Sequence, residues 1–307
     1  MFDSHLPVTR DPALTDVLKD WPDLPYRTLK IAPLETLVDR MSTGMEQHRI
    51  VLDPQGRGAA AWCHLPWDSG IFGVSMARLD LIWAKEEDPD LLRHLLDKVI
   101  QDARSEGVQH MAHRPEMARQ TTIHLLEDCG FRMVDSLHTL YYKVTEPKPA
   151  AQVRAYQPSD RDAILAMAAT AFERNRFASD PHLDTHMAEE IYIRWTDNCL
   201  SGKRGDWVGV RIIDGEPAGF ITCLLQPIQG SHMPMSVGVI DLIAVNPKYH
   251  GRGVGMELVH AAQNWMGVHS ALHTVGTRCD NFQALSLYLK AGFRIYSSKV
   301  GMHAWLK

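Results

Sequence analysis

The chain has 307 residues, 45% hydrophobic and 22% charged, which excludes a disordered or fibrous protein and leaves room for two domains. Lys and Arg number 32 against 37 Asp and Glu, a formal charge of −5, so no cation surplus equips the chain for general nucleic-acid binding. No apolar run reaches the roughly 20 residues of a membrane helix. The first ten residues carry no apolar leader, and Cys63, Cys129, Cys199, Cys223 and Cys279 are scattered without a C-x-x-C pair. The expectation is a cytoplasmic protein with reduced thiols, without a disulfide frame, a metal site or a membrane anchor.

In chain order, 76–84 (MARLDLIWA) reads as a buried strand. The spacing of Leu91, Leu92, Leu95, Leu96, Val99 and Ile100 predicts a helix over 89–106, stopped by Gly107. A short strand over 108–112, a helix to 128 and a strand over 131–144 follow. The stretch 145–151, with Pro147 and Pro149 and no large apolar side chain, reads as a linker between domains 1–146 and 152–307. Beyond it come a buried strand over 237–245 (VGVIDLIAV), a glycine-rich turn, and a helix with Leu258, Val259, Ala262, Trp265 and Met266 on its apolar face. A strand over 271–276, a helix over 281–291 and a final strand from 293 complete the order.

The two halves share more than this order. Leu79-Asp80-Leu81-Ile82 is matched 161 residues later by Ile240-Asp241-Leu242-Ile243, and Cys129-Gly130-Phe131-Arg132 is matched 162 residues later by Ala291-Gly292-Phe293-Arg294. A duplicated α/β domain is expected. The halves diverge after their first strand. The second runs His250-Gly251-Arg252-Gly253-Val254-Gly255 into its helix, where glycines let amides approach an anion beside the positive helix end. The first half places Glu86, Glu87, Asp88 and Asp90 there, which repel one.

The glycine segment resembles the pyrophosphate loop of the GNAT acetyltransferase family, whose pattern is Q/R-x-x-G-x-G/A, with His250 where Arg or Gln is usual. Asn281, Ala284, Leu287-Tyr288 and Gly292-Phe293 resemble the family's second segment. The likeness runs from about residue 155 to the C-terminus, and the first half looks like a degenerate copy. It implies tandem GNAT-like domains, each a mixed, mostly antiparallel sheet flanked by helices. It further implies acetyl-CoA as cosubstrate, with no metal. Upstream, Ala171-Phe172-Glu173-Arg174-Asn175-Arg176-Phe177, with Tyr192, Trp195 and Asn198, resembles the acceptor-side helices of family members that acetylate dTDP-linked amino-deoxysugars such as dTDP-fucosamine. Leu65-Pro66-Trp67-Asp68-Ser69-Gly70-Ile71-Phe72-Gly73 resembles the opening of the same enzymes.

The resemblance assigns roles. Leu242, Ile243, Ala244 and Val245 would line the pantetheine arm. His250, Gly251, Arg252, Gly253, Val254 and Gly255 would hold the pyrophosphate. Asn281 would bond the arm, and Tyr288 would donate a proton to the departing sulfur. At the position of Tyr288 the first half has Leu126, so packing alone accepts an aliphatic side chain. Asp80 matches Asp241 in a half without the loop, so Asp241 reads as structural and the base stays unassigned, with water or Tyr192 as candidates. Arg174 and Arg176 would grip the diphosphate of a nucleotide-sugar amine, and Tyr192 or Trp195 would stack on its base. The expected activity is acetyl transfer to such an amine. The alternatives are a protein or peptide N-acetyltransferase and a non-catalytic CoA-binding module. A homodimer is compatible with the sequence.

Overall fold

The computed structural model describes residues 48–149, 152–228 and 235–306. The first ten residues and positions 150–151 of the linker lie outside them. The order is β1 (Arg49–Leu52), β2 (Gly58–His64), α1 (Pro66–Phe72), β3 (Met76–Ala84), α2 (Pro89–Ser105), β4 (His110–His113), α3 (Gln120–Asp128) and β5 (Arg132–Lys143). It continues with β6 (Val153–Ala155), α4 (Arg161–Ala171), α5 (Thr185–Leu200), β7 (Trp207–Ile213), β8 (Glu216–Ile228) and β9 (Met235–Val245). It ends with α6 (Val254–Gly267), β10 (Leu272–Arg278), α7 (Phe282–Lys290) and β11 (Arg294–Trp305). Among the described residues no helix is long and apolar enough to cross a membrane.

Two compact units result. Described residues up to 133 and from 299 onward form the first, and 134–228 with 235–298 form the second. The division passes through β5 and β11 instead of the proline-rich linker. A cut at the linker would assign β5 to the first unit, but β5 runs antiparallel to β10 from Leu137↔Arg278 to Lys143↔Leu272, and this ladder places it in the second.

In the first unit the strands run β1-β2-β3-β4 and then the last residues of β11. Pro89 opens α2, and the Asp88 carboxylate caps it by accepting from the amides of Asp90 and Leu91. Leu91, Leu92, Leu95, Leu96 and Val99 are all buried in one core with Phe131 and Leu126, each contributing roughly 1.5–3 kcal/mol relative to an exposed side chain.

In the second unit the strands run β11-β5-β10-β9-β8-β7-β6; from β5 to β6 the pairs are antiparallel except β10 with β9. It is a mixed α/β sheet with helices on both faces. Leu258, Val259, Ala262 and Met266 of α6 pack with Ile240, and Ile164, Met167 and Ala168 of α4 pack with Leu242 and Ala244. Ile240 and Leu242 would share a face in a regular strand. They do not, because Asp241 is the extra residue of a bulge opposite Thr222 and Cys223 that switches every later side chain to the other face.

The first unit repeats this arrangement. Asp80 is the extra residue of a bulge opposite Ala61 and Trp62, and Leu79, Ile82 and Ala84 face one core as Ile240, Ile243 and Val245 do. The parallel ladder runs from Met76↔His110 to Leu79↔His113 in one unit and from Val237↔Leu272 to Ile240↔Val275 in the other. The two registers coincide at the spacing of the sequence repeats.

Buried His113 in the first unit and His273 in the second are held neutral by desolvation, each pushed down to about 4. A folded-state value below the unfolded 6.5 means that the unfolded chain binds more protons between these values, so stability falls as pH falls through that window. At about 1.4 kcal/mol per pH unit for each group, urea unfolding at pH 5 should show a loss of roughly 2 kcal/mol per histidine relative to pH 7. His113→Asn, which keeps a side-chain donor, should remove the share due to His113. Equal stability at both pH values would contradict this burial.

Candidate active site

The second unit's cleft starts from a missing ladder. Pairing between β9 and β10 stops at Ile240↔Val275, yet β9 continues to Val245 and β10 to Arg278. The two strands part beyond Ile240 and leave the edge of β9 on that side open. A cleft of about 740 Å³ lies there, lined by Ile243, Ala244 and Val245 along β9, by the 250–255 loop, and by Asn281, Ala284 and Leu287 of α7.

The loop supplies donors. Gly251 and Gly253 have φ of +76° and +81°, which favour glycine, and neither has a neighbour where a Cβ would stand. Gly253 begins α6 with no side-chain cap, and the amides of Gly251, Gly253, Val254 and Gly255 have no acceptor among the described residues. Uncapped amides at a helix start, carrying the positive end of the helix dipole, form an anion site. Gly255 serves packing as well, since a Cβ there would meet Leu287 at 3.2 Å and its absence lets α6 and α7 approach. Around the loop, Lys248 pairs with Glu216 at 3.0 Å, and the His250 Nε2–H donates to the Val245 carbonyl at 3.0 Å. Arg252 lies over the Tyr249 ring and does not line the cleft.

Asn281 caps α7, its Oδ1 accepting from the Ala284 amide at 3.1 Å, which leaves its amide NH₂ for the cleft it lines. Tyr288 is 2% exposed, edge-on to Phe293, in the core behind Leu287. Burial and the nearby Cys223 hold its phenol well above the usual tyrosine range. Cys223 is the strand partner of Ile240, where β9 and β10 part, and Tyr288 itself does not line the cleft. Leu242 faces the α4 core and does not line the cleft.

A second cavity, of about 470 Å³, adjoins the first and shares Thr170, Ala171, Glu173, Asn281 and Gln283 with it. Arg174, Arg278, Asp280 and Phe282 complete its lining. Arg278 donates two hydrogen bonds to the Asp280 carboxylate, from Nε and Nη2 and both 2.9 Å, while its Nη1 is buried without a partner among the described residues.

Of the four acceptor residues expected from sequence, the structure brings Arg174 alone to a cavity. It lies with Arg176 in the segment between α4 and α5, which is not helical. The Arg176 guanidinium lies 4.4 Å from the centre of the Phe177 ring. Tyr192 stacks with Phe172 and with Trp195, whose indole donates to Asp241 at 2.8 Å and carries the Arg204 guanidinium over its ring. These aromatics are engaged within the protein and line neither cavity. Asp241 also accepts two bonds from Arg204, at 2.8 and 2.9 Å, as Asp80 does from Arg78 at 2.6 and 3.1 Å. The structural reading of this pair follows from its partners. Sequence reasoning gave no role to Glu173, Gln283 or Arg278, whose types carry no signal until the loop after α4 and the end of β10 are placed.

In the first unit the matching place is closed. Asp88 already caps the helix start, Arg119 occupies the position of Asn281 and donates to Glu87 at 3.1 Å, and His113 Nδ1 donates to the Leu79 carbonyl at 2.6 Å where β3 and β4 part.

Residues 165–293 match the model of the Acetyltransferase (GNAT) family. The chain is 30% identical over 154 residues to the spore coat polysaccharide biosynthesis protein SpsD of Bacillus subtilis, covering 48% of this chain and 49% of that protein. The chain therefore spans about half the length of this curated relative. It is 26% identical over 175 residues to the dTDP-fucosamine acetyltransferase of Escherichia coli, covering 56% and 71%. A GCN5-related N-acetyltransferase from Sphaerobacter thermophilus shares the fold with a TM-score of 0.57 at 18% identity, over 85% of this chain and 81% of that one.

Proposed function

We propose that residues 165–293, which match the Acetyltransferase (GNAT) family model, form an acetyltransferase domain, and that the second unit moves the acetyl group of acetyl-CoA to a primary amine, that of a nucleotide-linked amino-deoxysugar. The observation that carries the reading is the set of uncapped amides of Gly251, Gly253, Val254 and Gly255 beside the open edge of β9. The amides take the pyrophosphate. Main-chain groups from Leu242 to Val245 hold the pantetheine arm and polarise the thioester carbonyl, and the Asn281 amide adds a bond. Tyr288, kept protonated by burial, supplies the proton to the leaving sulfur. The first unit, with the same bulge and register but a closed cleft, is a degenerate copy of the domain.

The sugar acceptor is supported by the names of the two relatives and by Arg174, a cation without a hydrogen-bonded acid among the described residues, on the smaller cavity. CoA thiol release should be measured against nucleotide-linked amino sugars, free amino sugars and peptide amines. Preference for a peptide amine would overturn the acceptor class. A charge-assisted hydrogen bond is worth roughly 1.5–3 kcal/mol, so Arg174→Ala should raise the KM of a diphosphate-bearing acceptor about tenfold or more. The acetyl-CoA KM should hardly move, and activity on a free amino sugar should be unchanged. Equal losses on both acceptors would make Arg174 structural.

A further inference from the structure

The acceptor nitrogen has to lose a proton before it attacks, and the fold supplies one carboxylate where the two cavities meet. Glu173 is the first residue after the C-cap of α4, exposed, and lines both cavities. Among the described residues it is the only Asp or Glu on the 740 Å³ cleft, and no hydrogen bond or ion pair engages it. The other acid on the smaller cavity, Asp280, is neutralised by Arg278 at 2.9 Å. Of the other acids and bases nearby, Asp241 is committed to Arg204 and Trp195, and Tyr192 lines neither cavity.

We propose, resting on the acetyl-transfer reading, that Glu173 is the general base: it binds the acceptor ammonium at the junction of the cavities and removes its proton. A primary amine near pH 7 is almost wholly protonated, like a lysine of pKa about 10.4. A carboxylate at the junction attracts this cation while Arg174, on the same small cavity, takes the anionic part of the acceptor. The cavity thus selects a molecule with an amine at one end and a negative group at the other. R–NH₃⁺ gives one proton to Glu173, directly or through one water, and the nitrogen lone pair forms the N–C bond as the carbonyl electrons move to oxygen. Collapse restores the carbonyl and breaks the C–S bond. The nitrogen loses its second proton, the thiolate gains one, and the products are the amide and CoA thiol, with the proton on Glu173 released to solvent.

Glu173→Gln keeps the shape and hydrogen bonding but accepts no proton. The full chain with this change should bind acetyl-CoA as the parent does by calorimetry, and kcat at pH 7 should fall about 100-fold or more, in the range of general-base contributions. The variant then depends on the free amine present in solution, so its rate should climb nearly tenfold per pH unit up to the amine pKa, where it should approach the parent rate. Glu173→Asp should recover part of kcat. A parent-like kcat and pH profile in Glu173→Gln would overturn the proposal, as would a rise in acceptor KM alone. Failure of the underlying reading looks different: the parent chain would then show no acetyl-CoA binding and no thiol release.

Discussion

Gly253→Val should abolish acetyl-CoA binding in a chain that remains folded. Gly253 has φ of +81° and is exposed, with open space where a Cβ would stand, so the substitution meets no clash with the core. A β-branched residue at that φ is strained, and relief comes from turning the backbone back to negative φ. That rotation swings the amides of Gly253 and Val254 away from the cleft mouth. Two charge-assisted bonds lost, at roughly 1.5–3 kcal/mol each, amount to a 10²–10⁴-fold weaker Kd. Calorimetric titration with CoA reads it, and circular dichroism confirms the fold. Glu86→Ala, at the closed counterpart in the first unit, should leave the titration unchanged. Parent-like affinity in Gly253→Val would remove the loop from the site.

Tyr288→Phe should lower kcat by about 10²–10⁴-fold with little change in acetyl-CoA affinity, the signature of a proton lost in the transition state only. The ring is buried against Phe293, and phenylalanine preserves that contact. Leu126, its counterpart in the first unit, is fully buried without any hydroxyl, so the fold does not require the oxygen. Desolvation keeps the phenol protonated far above neutrality, which suits an acid and not a base. A loss below tenfold would make Tyr288 a packing residue.

The elements with strong periodicity were legible from sequence. β3 falls at the expected 76–84, and α2 stops one residue before the expected end. The glycine loop was legible because left-handed backbone and close anion approach both demand the residue type. The region from α4 to β8 was not. The face of α5 that carries Tyr192 and Trp195 looks like a binding stripe in sequence, because nothing there reveals that Asp241, 46 residues from Trp195, claims the indole. Glu173 was invisible for the opposite reason: a single acid at a helix end is the ordinary mark of a solvated surface. The repeated Asp80 and Asp241 showed as a pattern, but the bulges they occupy emerge only from the β2–β3 and β8–β9 registers.

The boundary between the two units falls inside β11. The strand opens in the second unit and ends in the first, where Met302 to Trp305 pair with β4, and Val300, Met302 and Ala304 are buried in that unit's core. A shortened gene encoding the second unit alone would release these residues as an apolar strand with an unpaired edge, a template for aggregation. The second unit's last strand is thus hostage to its neighbour in the chain. Loss of the first unit's β4 would be punished at the level of solubility, whatever that unit does or does not bind.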